Sequence, residues 1–525
     1  MKFAACWTAV VAAAPALAGP VEVLYTKITG HPTAVIPGAR DLAGSLTFAE
    51  FRAMEGLYGS ADGSRWLMKG RTQLGTDLET MLMLGAANAG SVLVQEGQPA
   101  VGGGFYDFIG SEAGRFDDFG NAAFSVRART NQTGVPGVDQ HRVLKYTLSS
   151  ATLSPAFQEL DPYTGLSDTT VSGDETVGNS VGSIHLLNDG RIGCQDSTIN
   201  NIHTSRRPAI FYDRVAFHQT NVTSVNAMGG LGSRLWTTIN ANTFFTTPDG
   251  AHWVAIGDIT GGTVLNVLVR DGDVVIQQGE AVPGSVLVAG DIFQAVQSSS
   301  GHWMARGRDN SGTTAAAPDW AVLDGALVAQ TGQPITPGSG ELWGDTLSGV
   351  AVDNAGNYVV MGNTSGTSDA DAVMVLNGET VVLREGNRVD LNNNGQDDDD
   401  AYFGRGNDAL TPFSANNVFL AQDGYLYAII NIRNEAGQDL NSTPAFGTPN
   451  ALVRLCVGAG CAPPACDPDV NCDGAVNGFD VEATEQAVNG DFSNFCQASA
   501  DLNGDGAENG FDIETEEQRV NGAPC

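Results

Sequence analysis

Two twelve-residue stretches near the C-terminus carry side-chain oxygens at spacings that suit metal chemistry. The first places Asp469, Asn471, Asp473, Ala475, Asn477 and Asp480 at positions 1, 3, 5, 7, 9 and 12, with Gly474 at position 6. The second repeats that order with Asp501, Asn503, Asp505, Ala507, Asn509 and Asp512 around Gly506. A loop that turns sharply at glycine and offers carboxylates, amides and one backbone carbonyl is what Ca²⁺ requires. Position 7 ligates through its carbonyl, so alanine serves there. An all-oxygen set favours a hard dication over Zn²⁺ or Cu²⁺. A third acidic loop, in the body, begins D-x-N-x-N-G-x-x-D. There Asp390, Asn392, Asn394, the carbonyl of Gln396 and Asp398 could hold another Ca²⁺. Ala401 stands at its position 12, so a neighbouring Asp must complete the coordination. An acidic surface turn reads the same residues without metal.

Each C-terminal loop runs into a helix-compatible segment, 481–488 and 513–520, with Gly490 and Gly522 as stop signals. Residues 467–525 hold fourteen acidic residues against one base, Arg519. Their mutual repulsion predicts that metal binding and folding are coupled. This paired loop–helix pattern closely resembles a type I dockerin. The resemblance implies two bound Ca²⁺ with the residues above as ligands, and docking onto a cohesin or a similar cell-surface protein. Family members often use small polar residues at loop positions 10 and 11 to choose a partner. Here those positions are Gly478-Phe479 and Gly510-Phe511. The two phenylalanines either anchor a partner or fill the small module's core, and core packing is the expected role.

The elements upstream are read from composition and pattern. The chain has 525 residues, with 60 Asp and Glu against 26 Lys and Arg, a formal charge of −34. Only Lys2, Lys27, Lys69 and Lys145 are lysines. A general nucleic-acid binder or anionic-membrane binder is excluded, because both need concentrated positive charge. Hydrophobic residues make up 42%, enough for real cores. Glycine, 66 of 525 residues, far exceeds the usual ~7% and favours turn-rich β structure.

Lys2, an apolar run over 3–14 and Ala16-Leu17-Ala18 read as a signal peptide cleaved after residue 18. The competing membrane anchor would need a longer apolar run. The protein is expected to be exported, without a membrane span. Cysteine usage agrees: Cys456, Cys461, Cys466, Cys472, Cys496 and Cys525 crowd the end, while Cys194 stands alone in the body. Six cysteines in a short exported segment read as disulfides, with 15 possible pairings, and Cys456–Cys461 is sterically plausible. A zinc site competes weakly, since the segment has neither a C-x2-C pair nor histidine.

Through residues 61–455 a polar turn ending in glycine leads repeatedly into an alternating apolar strand. The turn glycines are Gly63, Gly120, Gly190, Gly250, Gly301, Gly356 and Gly424, spaced 51 to 70 residues apart. Several turns are followed by a hairpin on Asp271-Gly272, Asp324-Gly325 or Asn377-Gly378, the strongest short hairpin signal. The second, third and last repeats lack a clean copy. Each period thus holds about four short strands, a sheet that cannot bury both faces alone. Stacking such sheets about an axis predicts an all-β fold, a β-propeller of about seven blades. A string of sandwich domains is the alternative. Residues 19–60 form an N-terminal segment whose stretch 21–26 could close the ring. Residues 456–466 read as a Cys/Pro/Gly linker and 467–525 as the calcium-loop domain. Trp66, Phe124, Trp253, Trp303, Tyr358 and Tyr427 follow the turn glycines and are expected in the core. The repeats resemble those of exported bacterial surface proteins with an N-x-x-G-x-x-x-A-F signature, most closely at residues 117–124.

No catalytic residue stands out. Gly178-Asn179-Ser180-Val181-Gly182 matches G-x-S-x-G, which needs a strand-to-helix turn and here sits in a Gly/Ser/Thr/Asp-rich stretch. His252 and His302 occupy equivalent repeat positions, which points to architecture. Three functions remain open. One is an exported, calcium-dependent surface or matrix protein whose tail attaches it and whose body binds a partner or glycan. Another is a dockerin-bearing carbohydrate-active enzyme such as a glycoside hydrolase, the association the resemblance most often brings. The third is a purely structural coat component.

Overall fold

The computed structural model describes residues 21–109, 114–134, 139–167, 175–199, 208–260, 264–310, 317–393, 399–404, 413–440, 451–458, 461, 468–473, 475–496, 500, 502 and 508–521. They form two units, Met1–Cys461 and Ala462–Cys525. The expected signal peptide lies outside the described residues. Among the described residues no helix is long and apolar enough to cross a membrane.

The first unit is an all-β propeller. Among the described residues six of its sheets have four strands each, and in five of these strands consecutive in the chain lie side by side. Between the third and the next of these lies a six-stranded sheet spanning Ser224–Ala227 to Asp273–Gln277. A two-stranded pair, Tyr402–Phe403 with Ile432–Arg433, is an addition that the repeat pattern does not show.

Strand alternation explains how the sheets stack. Successive side chains point to opposite faces, so each second strand feeds two cores. Leu67 packs with Phe124 and Leu144 of the next sheet, while Trp66 and Met68 pack with Tyr427 and Ile429 of the last. Val254 joins Trp303 and Trp320, whereas Trp253 and Ala255 join Ile210 of the sheet before. Val359 packs against Leu426 and Ala428, and Val360 against Met304. Trp66, Phe124, Trp253, Trp303 and Tyr427 are buried as expected, and Tyr358 is half-buried against the same kind of core. A Cβ on Gly85 would meet the Trp66 ring at 2.0 Å, so this glycine makes room for the indole.

The ring closes through the N-terminal segment. The strand Glu22–Thr26 pairs antiparallel with Ala451–Cys456, Val23 opposite Val453, as the outermost strand of the last sheet. Asn393 secures the strand further, accepting from the Val23 N–H at 3.0 Å and donating to its carbonyl at 2.7 Å.

The two sequence signals of the repeat turn out to be one device. All seven turn glycines have positive φ, and so do both residues of the Asp271-Gly272, Asp324-Gly325 and Asn377-Gly378 hairpins. The carboxylate of Asp324 accepts the Trp303 N–H at 2.9 Å and bonds His302 Nδ1 at 2.6 Å. Asp271 does the same for Trp253 and His252, at 2.7 and 2.8 Å. Asn377 takes the Tyr358 N–H at 2.9 Å and donates to Asn357. The equivalent histidines are therefore architectural, as their repetition implied. The third repeat makes its hairpin on Asp213-Arg214, both at positive φ. Arginine in that conformation is too uncommon to read from sequence.

Two outcomes follow. Val23→Asp, which sets a charge in the last core, should cost about 3 kcal/mol or more in chemical denaturation. Asp324→Ala, which strips the Trp303 N–H of its acceptor, should cost about 1–3 kcal/mol by the same measurement.

Candidate calcium loops and axial cavity

In the second unit, helices α1 (Gly478–Val488) and α2 (Gly510–Val520) begin identically. Asn477 and Asn509 cap them, each side chain accepting from the N–H of Phe479 or Phe511 at 2.9 Å. Asp480 and Asp512 answer from the third helical position, accepting the cap residue's own N–H at 2.8 and 2.7 Å. These reciprocal bonds form a capping box, which satisfies two orphan donors and sets acidic charge at the positive helix end. Both carboxylates are fully buried. The residue expected as the twelfth loop ligand thus also fixes the start of its helix.

In the first loop the expected residues are linked by hydrogen bonds to one another's backbone. The Asp473 N–H donates to Asp469 Oδ1 at 3.0 Å and to Asn471 Oδ1 at 2.9 Å. Asp480 Oδ1 accepts from the Asn471 N–H at 3.3 Å, and Asp473 Oδ1 from the Ala475 N–H at 2.9 Å. Asn477 Nδ2 donates to the Ala475 carbonyl at 2.9 Å. Among the described residues no three His, Cys, Asp or Glu side chains are gathered as a metal site. The loop's oxygens instead turn toward a few shared backbone amides. The donor set is oxygen throughout, which fits a hard dication and not zinc. In the second loop Asn509 and Asp512 are placed as described, while Asp501, Asn503, Asp505 and Ala507 lie outside the described residues. In the body loop Asp390 is buried and Asp399 accepts the N–H groups of Leu391 and Asn392 at 2.7 and 3.0 Å. Asn394, Gln396 and Asp398 lie outside the described residues.

Sequence reasoning misassigned one feature here. Val470, Ala483, Ala487, Phe495 and Ala500 make the module's core. Phe479 and Phe511, expected in that core, are 65% and 66% exposed. The first helical turn spends its inward positions on Asp480, Ala483 and Thr484, leaving the residue before the aspartate to face solvent. Disulfides Cys456–Cys461 and Cys472–Cys496 have Cα separations of 5.4 and 6.1 Å, which suits the bond. Cys466 and Cys525 lie outside the described residues, and Cys194 is a buried free thiol.

In the propeller, the innermost strands surround a cavity of about 540 Å³. Its wall includes Tyr58, Arg115, His185, Phe245, Phe293 and Gln297, drawn from sheets around the whole ring. The Arg115 guanidinium lies 5.1 Å from the centre of the Tyr58 ring and 4.7 Å from that of Phe245. Burial, and then the charge of Arg115, push the His185 imidazole down to about 3, so it is neutral. Its Nε2 lies 3.2 Å from the Phe244 carbonyl, and the neutral ring donates there. Glu55 is drawn up by burial, but hydrogen bonds and charge from Lys69 and Arg71 outweigh this and hold it low. At the rim, Asp62 and Asp117 accept hydrogen bonds within their own turns, and Asp118 accepts from Asn188. Ser180 of the G-x-S-x-G match precedes the strand Val181–Leu186, where the nucleophile motif requires a helix to follow.

No curated protein matches the chain. The β-propeller domain of the Trilobed protease from Pyrococcus furiosus aligns at 9% identity with a TM-score of 0.37, covering 77% of this chain and 100% of that one. The polysaccharide lyase Uly1 aligns at 11% identity with a TM-score of 0.36, covering 83% of this chain and 97% of that one. Residues 467–521 match the dockerin type I domain family, whose members bind calcium and dock onto cohesins.

Proposed function

We propose that the chain is an exported, calcium-dependent attachment protein. Its C-terminal unit takes up two Ca²⁺ and docks onto a cohesin-bearing partner outside the cell. Its propeller is the ligand-binding head, seven-bladed when the six-stranded sheet counts as one blade. The observation that carries this reading is the duplicated, dockerin-matched loop–helix start, in which Asp480 and Asp512 are wholly buried and bonded back to their cap residues. Asp469, Asn471, Asp473, Ala475, Asn477 and Asp480 hold one ion, and Asp501, Asn503, Asp505, Ala507, Asn509 and Asp512 the other. The Asp390 loop, with Asn392, Asn394, Gln396 and Asp398, holds a third. Export follows from reading residues 1–18 as a signal peptide and agrees with disulfide use in the tail. Two exposed phenylalanines at matching loop positions give the docking face an apolar character, and such anchors dominate interface energetics.

Calorimetric titration of the full-length protein with Ca²⁺ should show uptake that falls by about two ions in an Asp473→Ala/Asp505→Ala double variant. Undiminished uptake in that variant would refute the ligand assignment. Phe479→Ser/Phe511→Ser should preserve Ca²⁺ uptake while weakening capture by a cohesin more than about tenfold in surface-binding assays. Unchanged capture would remove the phenylalanines from the docking face.

A further inference from the structure

The blades share a second regularity, at their outer edges. Just after six outer strands stand Glu96, Glu159, Thr220, Gln278, Thr331 and Glu385, each followed by a residue with positive φ. In five of them the side chain turns back to accept an N–H near the start of the neighbouring strand. Glu96 takes that of Thr80 at 3.0 Å, Glu159 that of His141 at 3.3 Å, and Gln278 that of Asn266 at 3.2 Å. Thr331 takes that of Asp319 at 3.0 Å and Glu385 that of Ala372 at 3.3 Å. Thr220 meets Pro208, which has no N–H to give. An amide or a hydroxyl makes this latch without charge. Glu96 and Glu385 make it while buried, 7% and 5% exposed, where a carboxylate is costly.

Among the described residues neither glutamate has a base to itself. Glu96 Oε2 also accepts from Thr80 Oγ1 at 3.1 Å, and its Oε1 stands 4.0 Å from Arg129 Nη1. That guanidinium is already held by Asp107 at 2.8 Å and by Asp77 at 3.1 Å, so three carboxyl groups share one base. Glu385 hydrogen-bonds the Asp371 side chain, with Asp369 close by. The adjacent Arg384 is bound to Glu341, at 2.9 and 2.7 Å, and to the Ala370 carbonyl. Two carboxyl groups bond to each other only through a proton. Burial pushes Glu96 up to about 7 and Glu385 up to about 8, and the charges of Asp107 and Asp371 add to it. A protonated carboxyl still accepts an N–H through its second oxygen, whereas an ionised one beside other carboxylates is drawn toward water. The latch at Glu385 also opens the segment that secures the ring. There the Gly386 N–H donates to the Phe403 carbonyl at 2.7 Å, the Val389 N–H donates to the Ala401 carbonyl at 3.0 Å, and Asn393 holds Val23.

We propose that Glu96 and Glu385 are proton-operated latches, which shut the outer edges of the first and sixth blades when protonated and loosen them when the proton leaves. The sixth latch loosens with it the segment that holds the closing strand. This device is independent of the calcium loops. Above about pH 4.5 an unfolded chain gives up both protons while the folded chain keeps them. Stability therefore falls as pH rises from there, levelling near pH 7 for Glu96 and near pH 8 for Glu385.

The test unfolds full-length wild type, Glu96→Gln and Glu385→Gln in denaturant at steps from about pH 5 to about pH 9, in Ca²⁺ and in EGTA. Tryptophan fluorescence reports the propeller, where Trp66, Trp236, Trp253, Trp303, Trp320 and Trp343 lie buried. Glutamine keeps the latch, as Gln278 does, and removes the titration. Relative to each variant, the wild-type unfolding constant should rise by up to about tenfold per pH unit, in both buffers, until it levels. A ratio that does not change with pH would overturn the proposal, as would a change seen in Ca²⁺ and lost in EGTA. Amide exchange at Thr80 and Ala372, corrected for its intrinsic rate, should quicken with pH in wild type and not in the matching variant. Equal exchange in the two would overturn the loosening. Infrared spectra of wild type at about pH 6.5 should show protonated carboxyl groups on a chain whose ordinary carboxylates are ionised. Their absence would overturn the proposal even if neither variant folds.

Discussion

Each sheet of the body is apolar on both faces, and the fold follows from the need to cover both at once. Leu67 and Trp66, neighbours on one strand, end in different cores, and the same split recurs at Val254 and Trp253 and at Val359 and Val360. A sheet built this way is unstable unless it has a neighbour on each side, so the sequence of sheets must return to its start. The return is made by Tyr427 and Ile429 packing against Trp66 and Met68. The strand Glu22–Thr26 adds the last outer strand, which pairs an edge that would otherwise be open to association. Covalent continuity thus runs out at the place where the ring joins, and hydrogen bonds from Asn393 and from Ala451–Cys456 replace it.

Within each blade the turns do more than reverse the chain. The aspartate of the outer hairpin reaches back to the N–H at the start of the second strand, so two turns distant in sequence set each other's geometry. Gly301 and Gly356 carry the arrangement onward. A Cβ there would come within 3.1 Å of His252 and 3.4 Å of His302 of the preceding repeats. The histidines are held by an aspartate on one side and roofed by a glycine on the other. That is why they recur together with Asp-Gly hairpins and with the turn glycine of the next repeat.

Much of this was legible. Asp-Gly and Asn-Gly pairs announce positive φ, and alternating apolar runs announce strands buried on two faces, so the hairpins and the cores could be read directly. The six-stranded sheet was not, because the extra strands Ser224–Ala227 and Gly232–Ile239 carry no turn glycine in register with the others. The hairpin on Asp213-Arg214 was hidden by a residue whose positive φ is imposed by the surrounding sheet. In the tail, the oxygen spacing gave the loops. Spacing is silent on direction, however, and Phe479 and Phe511 look like core residues until the first helical turn is built and its inner positions are found already filled.

Repetition also sorts residues by what they do. A side chain that recurs in register, such as the histidine before Trp253 and before Trp303, is explained by the ring that the repeats help to build. A side chain that occurs once, at a position where the other repeats agree, has no such explanation. By that measure the recurring hairpins and turns are architecture, whereas Arg115, Phe293 and Gln297, which line the axial cavity, each occur once. The inner strands can vary because their axial faces are not asked to cover a neighbouring sheet, and a wall free of packing duty is the part of a propeller where chemistry can differ without loss of the fold.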